Sequence, residues 1–262
     1  MIVSSNIPGS GLVPACPPGT RLVAAIDVEW SKNYRVRGGN VPFCYSVIWL
    51  PVPASGASTG PGTVRFWYAS AYVQEASEGA DLVASADAAL GCLLGHASLI
   101  AGHQLCSDLA VLAAAAAGAR PPAVAAAVAA WRLRRQDLSG QPQFLDTRYD
   151  AGHILACRSR RLVDVCADLR LDVTQPELRG TSMTALHRRW LDLGDVTARE
   201  KITVLNLRHS LSTVLVAARA AGLARWQPSL NVNRLLASEL GDVLSWLAHP
   251  GFTALLGETD AA

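Results

Sequence analysis

Residues 21–30 read RLVAAIDVEW, an apolar run that ends in two acids, Asp27 and Glu29, set two positions apart. Uninterrupted apolar residues from 22 to 26 predict a buried strand. Side chains alternate along a strand, so both carboxylates leave it on the same side. Two like charges at the end of a buried strand are costly unless a cation or hydrogen bonds compensate. A divalent metal suits this role, because carboxylate oxygens are the ligands that Mg²⁺ and Mn²⁺ prefer. Taken alone, the pair fits a solvated strand end equally well, and the segments around it decide its meaning.

Two further strands are predicted over 43–52 and 63–73, joined by the Pro/Gly/Ser loop PVPASGASTGPG. Helical periodicity follows over 81–96, then a short strand over 99–103, helices over 108–117 and 121–135, and a strand end at 144–147. From 161 the pattern is helical: 161–170, about 182–193, and a long helix over about 197–222. Asp195 or Thr197 would cap the last of these and Gly222 would end it. Strands that precede alternating helices and strands predict an α/β fold with a mixed β-sheet flanked by helices. The expected organisation is an irregular lead-in over 1–20, one main domain over 21–225, and a C-terminal helical appendage over 226–262. That last segment carries Leu235, Leu236, Leu240, Val243, Leu244 and Leu247 at helical spacing.

Composition narrows the setting. The chain has 262 residues, 50% of them apolar, 17% charged and a formal net charge of +2, enough for a large core without disulfides or a structural metal. No run approaches the ~18 apolar residues of a membrane span, and the N-terminal residues lack the pattern of a signal peptide. The six cysteines form no CxxC pair or zinc spacing, so reduced thiols in a cytoplasmic protein are expected. All but two of the positive charges are arginine, the exceptions being Lys32 and Lys201. Arginine's rigid donor fork suits phosphate, although a net charge of +2 neither demands nor excludes a nucleic-acid partner.

Further segments give the acidic pair its context. Residues 99–109, LIAGHQLCSDL, run from a strand through a glycine turn to Asp108 at the start of a helix. Residues 144–147, FLDT, and 161–171, RLVDVCADLRL, follow. Here the sequence resembles the DnaQ-like (DEDD) 3′–5′ exonucleases of the RNase H-like fold. Asp27-x-Glu29 is similar to their first motif. Gly102-His103-Gln104 through Asp108 is similar to the second, with Gln104 where that family usually has Asn. The resemblance spans about residues 21–220 and implies that four acids hold two divalent ions, Mg²⁺ or Mn²⁺, for phosphodiester hydrolysis. It implies that Asp27 bridges both ions, Glu29 binds one and Asp108 completes the other.

The third motif of the family, a late helix reading H-x-x-x-x-D-A-x-x-T or carrying Tyr four residues before the Asp, has two placements here. In one, 204–213 (VLNLRHSLST) puts His209 in place of the fourth acid and Val204 and Leu205 where the family's His or Tyr would stand. Imidazole binds Mn²⁺ or a softer ion and is a poor Mg²⁺ ligand, and loss of the water-activating base implies weak activity. The other takes His187 as base and Asp192 as ligand, in 187–192 (HRRWLD), with Gly194 ending the helix soon after. Trp30 is a candidate for stacking on a terminal base, and Lys32 and Arg35 for phosphate contacts; each is equally a packing or solvated residue. The expectation is a metal-dependent 3′–5′ exonuclease acting on single-stranded RNA or DNA ends. The alternative is a weak or inactive exonuclease-fold module that binds nucleic acid or scaffolds a complex.

Overall fold

A computed structural model of the chain describes residues 1–9, 11–31, 39–55, 64–116, 118, 120–136, 143–175, 178, 180–226 and 229–257. The stretch 21–30 lies within β2 (Thr20–Ser31), in which residues 22–26 are all buried. Its neighbours are β3 (Val41–Pro53), antiparallel to it, and β5 (Leu99–Gly102), parallel to it. β4 (Trp67–Tyr72) pairs antiparallel with β3, and β6 (Gln143–Asp146) pairs parallel with β5. The sixth strand, β1 (Ile2–Ser5), adds to β4 at the edge, giving the order β1-β4-β3-β2-β5-β6. The expected mixed sheet is present, but residues 2–5 are a strand rather than part of an irregular lead-in. Ser5 Oγ donates to the Tyr68 carbonyl (2.8 Å), and Tyr68 N–H donates to Asn6 Oδ1 (2.7 Å), tying the lead-in down.

Each face of the sheet has its own core. On one, α1 (Gly79–His96), α2 (Leu105–Ala115) and α3 (Pro122–Leu133) bury Leu90, Leu109, Leu112 and Val124 with Ile26 and Val28 of β2. On the other, α6 (Val196–Ala220) lays Leu207, Leu211 and Val214 on Val23, Ala25 and Ile48. Both faces of β2 are therefore covered, as its unbroken apolar run requires. Asp195 caps α6, its Oδ1 accepting from Ala198 N–H at 2.9 Å, a bond worth about 1 kcal/mol. Among the described residues, no helix is long and apolar enough to cross a membrane. All six cysteines are free thiols.

The C-terminal segment joins the α6-side core. α7 (Val232–Leu240) and α8 (Pro250–Thr253) bury Leu236, Leu240 and Phe252 there, with Trp246 and Leu247 between them. Two buried polar ties hold it. Glu200 accepts from Ser245 Oγ (2.8 Å) and Trp246 N–H (2.7 Å), and Arg208 Nε donates to Asn233 Oδ1 (2.6 Å). A small parallel ladder of β7 (Leu171–Asp172) and β8 (Leu230–Asn231) runs beside α4 (Leu162–Asp168). The remaining helix, α5 (Met183–Leu193), packs on α6.

Candidate metal centre

The site gathers where β2 ends beneath α6. Alternation places Asp27 and Glu29 on the same face as Val23 and Ala25, which is the face α6 covers. A register shift falls directly after Glu29, where Glu29 pairs with Cys44 but Trp30 pairs with Pro42. The extra residue on β3 is Phe43, whose ring stacks on His187 of α5 at 4.0 Å. Such bulges bend a strand and end its regular pairing.

α6 brings His209 onto the two acids. Its Nδ1 lies 3.6 Å from Asp27 Oδ2 and 3.5 Å from Glu29 Oε1. One ligand atom from each of the three lies within 4.8 Å of the others, so Asp27, Glu29 and His209 form a group that could hold a metal ion. Their side chains are 13%, 16% and 29% exposed, enclosed yet reachable from solvent. Burial pulls the imidazolium pKa down, but hydrogen bonds and charge from Asp27 and Glu29 outweigh it and hold His209 at about 10. Without a cation the ring is therefore protonated and offsets one of the two acidic charges itself. Metal ligation requires that proton to leave.

Asp108 sits on α2, only 4% exposed, and its Oδ2 has no hydrogen-bond partner. Burial pushes its carboxyl well up, and the charges of Asp27 and Glu29 push it further. An unpartnered carboxylate oxygen at such a position fits a site that draws a cation. Asp108 is not a member of the compact group of three.

The loop before α2 is fixed by Asp146 of β6, which is fully buried. Its Oδ1 accepts from Gln104 N–H (2.9 Å) and Arg148 N–H (3.1 Å), and its Oδ2 from Leu105 N–H (2.9 Å) and Trp131 Nε1 (3.3 Å). Gln104 takes φ +66°, and a Cβ on Gly102 would meet Leu105 Cβ at 2.6 Å. The glycine is required for this tight turn. Next to it, His103 bonds Thr147 Oγ1 through Nδ1 at 2.9 Å. Ala101 pairs with Ala25, which brings His103, just beyond β5, level with Asp27 of β2. Burial, then the charge of His209, pull His103 down to about 4, so its ring is neutral at pH 7.

In comparisons with known proteins, no family model matches the chain and no curated protein matches it. The site rests on its own geometry.

The structure separates the other candidates. Of the two placements of the late motif, His209 meets Asp27 and Glu29, whereas Asp192 is exposed near the end of α5 and Gly194 terminates that helix in the left-handed region. His187 is a packing residue: Nδ1 bonds Tyr72 OH at 3.0 Å and the ring stacks on Phe43. Trp30 packs partly against the core on the opposite face, because its position is odd relative to the acids. Lys32 and Arg35 lie outside the described residues. Val204 and Leu205, where a water-activating His or Tyr would stand, are buried apolar residues of α6. Sequence reasoning missed Asn206, fully buried one helical turn before His209. Its Nδ2 donates to the Asp27 carbonyl (3.1 Å) and to Asp27 Oδ2 (2.7 Å). The only signal was an amide inside an otherwise apolar stretch of helix.

His187 gives the protein a specific acid response. Burial lowers its pKa from 6.5 to about 4, so between those values the unfolded chain binds a proton that the folded one refuses. Its contribution to stability is present above pH 6.5 and is lost as pH falls toward 4. The urea midpoint should fall more between pH 7 and 4.5 for wild type than for His187→Gln, which cannot titrate. Parallel pH profiles would remove His187 from this role.

Proposed function

We propose that the chain is a divalent-metal-dependent phosphodiester hydrolase of RNase H-like fold, acting as a 3′–5′ exonuclease on single-stranded RNA or DNA ends in the cytoplasm. The observation that carries this reading is the convergence of Asp27 and Glu29 from the central strand with His209 from the helix across it. The buried Asp108, whose Oδ2 has no hydrogen-bond partner and whose carboxyl feels the charges of Asp27 and Glu29, supports it, as do the mixed sheet and the chain order of the ligands, which follow the motif resemblance. Strand polarity and substrate class come from that resemblance.

Asp27, Glu29 and His209 would hold a first ion, with Asp108 the remaining acid available to a second. Bound divalent ions supply an activated water and charge stabilisation for phosphodiester cleavage. The chain itself fixes the ligands on rigid elements: β2 sets the spacing of the two acids, α6 sets His209, and the Asp146-bound turn sets α2 and Asp108. With an imidazole in the ligand set, Mn²⁺ is favoured over Mg²⁺.

A second reading has its own observation. A protonated His209 facing Asp27 and Glu29 offsets one of their two charges in place of a metal, which suits an inactive module that binds nucleic acid or scaffolds a complex.

One experiment decides between them. Oligonucleotides labelled at the 5′ end should shorten with Mn²⁺, more slowly with Mg²⁺, and not at all with EDTA. His209→Asp should raise the Mg²⁺-supported rate relative to Mn²⁺ by roughly tenfold, since carboxylate oxygen suits the harder ion. Salt-sensitive binding with no shortening under either metal would favour the module.

A further inference from the structure

The buried amide of Asn206 is bonded to Asp27 of the candidate centre, and the proposed chemistry leaves it unused. The orientation of this amide follows from its surroundings. Nδ2 faces two acceptors, the Asp27 carbonyl at 3.1 Å and Asp27 Oδ2 at 2.7 Å, while Oδ1 accepts from Cys44 Sγ at 3.6 Å. Turning the amide over would set its oxygen against both acceptors and its NH₂ against the thiol donor. Cys44 is fully buried, with its thiol directed at Asn206 Oδ1.

We propose that Asn206 is a positioning residue for the cation site, holding the Asp27 carboxylate at a fixed rotation so that it, Glu29 and His209 present their ligand atoms together. This rests on the metal-centre reading above. Asp27 Oδ2 is the atom that Asn206 grips at 2.7 Å and that His209 Nδ1 approaches at only 3.6 Å. The second bond of the same NH₂, to the Asp27 backbone carbonyl, ties the side chain's orientation to the strand. Asn206 and His209 stand three residues apart on α6 and so share one helix face. The ligand and its neighbour's orienting group therefore come from one rigid element. Groups that orient metal ligands through hydrogen bonds commonly govern affinity as well as geometry.

The test is Mn²⁺ titration at pH 7 by calorimetry, with the electron paramagnetic resonance signal of bound Mn²⁺ as a second readout. Wild type, Asp27→Asn, Asn206→Leu and Asn206→Ser are compared, each checked by thermal melting. Asn206→Leu keeps the volume and removes the donor, and should weaken Mn²⁺ binding about 10–100-fold with an altered resonance signal. Asn206→Ser returns a hydroxyl donor and should fall between wild type and the leucine variant. Wild-type affinity and signal in folded Asn206→Leu, while Asp27→Asn loses the metal, would overturn the proposal and leave the metal centre standing. If the leucine variant does not fold, unchanged affinity in Asn206→Ser does the same. Absence of Mn²⁺ binding by the wild type overturns both.

Discussion

Asp27→Asn should abolish metal-dependent shortening of an oligonucleotide, with a rate loss of about 10³-fold or more. The substitution keeps shape and leaves an amide oxygen that can still accept from Asn206 Nδ2, now 2.7 Å from Asp27 Oδ2. What it removes is charge at the point where three ligand atoms converge. One fewer negative charge weakens the hold on a divalent ion and also releases His209, whose raised pKa depends on Asp27 and Glu29. The effect on stability should be small, because the substitution relieves the repulsion that disfavours ionised Asp108 while giving up the attraction of Asp27 for the His209 imidazolium. Initial rates at saturating Mn²⁺, with melting curves alongside, make the comparison. A variant retaining more than about a tenth of the wild-type rate would move the chemistry away from this cluster.

Asp146→Ala should produce the largest loss of stability, about 3–5 kcal/mol. Asp146 is fully buried, and its two oxygens accept from Gln104, Leu105 and Arg148 N–H groups and from Trp131 Nε1. Truncation leaves these donors without an acceptor, and each buried orphan costs about 1–3 kcal/mol before partial rehydration. Burial itself raises the Asp146 carboxyl, and the donors pull it back only in part. A conservative Asp146→Asn should lose roughly half as much, since its NH₂ faces N–H donors where a carboxylate oxygen accepted them. Urea unfolding of the three proteins measures the series. The alanine variant should also lose activity beyond its instability, because the same bonds set the start of α2, which carries Asp108. A midpoint within error of wild type would mean that water replaces the carboxylate without cost.

Much of this was legible in the sequence, and for identifiable reasons. The apolar run ending at Asp27-x-Glu29 marked a buried strand, and Asp195, one of two cap candidates with Thr197, lies at the start of α6. The edge strand over residues 2–5 was not legible, because four residues beside a Pro/Gly-rich stretch acquire strand character only from β4. The choice between His209 and Asp192 was open for a similar reason. Both lie on helices, and only the packing of α6 across the end of β2 brings one of them to the acids. Trp30 follows Glu29 directly, yet strand alternation turns it toward the other core. Asn206 carries no motif at all; its partner lies 179 residues earlier.

The attachment of the C-terminal segment bears on how the molecule comes into being. Arg208, the residue beside His209, is fully buried and bonded to Asn233 of α7, while Glu200 of the same helix accepts from Ser245 and Trp246. During synthesis β2 emerges early, whereas the helix that supplies the imidazole begins only at residue 196, and the Asn233 partner of its buried arginine follows later still. The acids are therefore made long before the imidazole that faces them. Assembly of the centre is thus a late event that depends on distant parts of the chain, the kind of closure that folds slowly. A nascent chain stalled before residue 196 would carry both acids and no imidazole to face them.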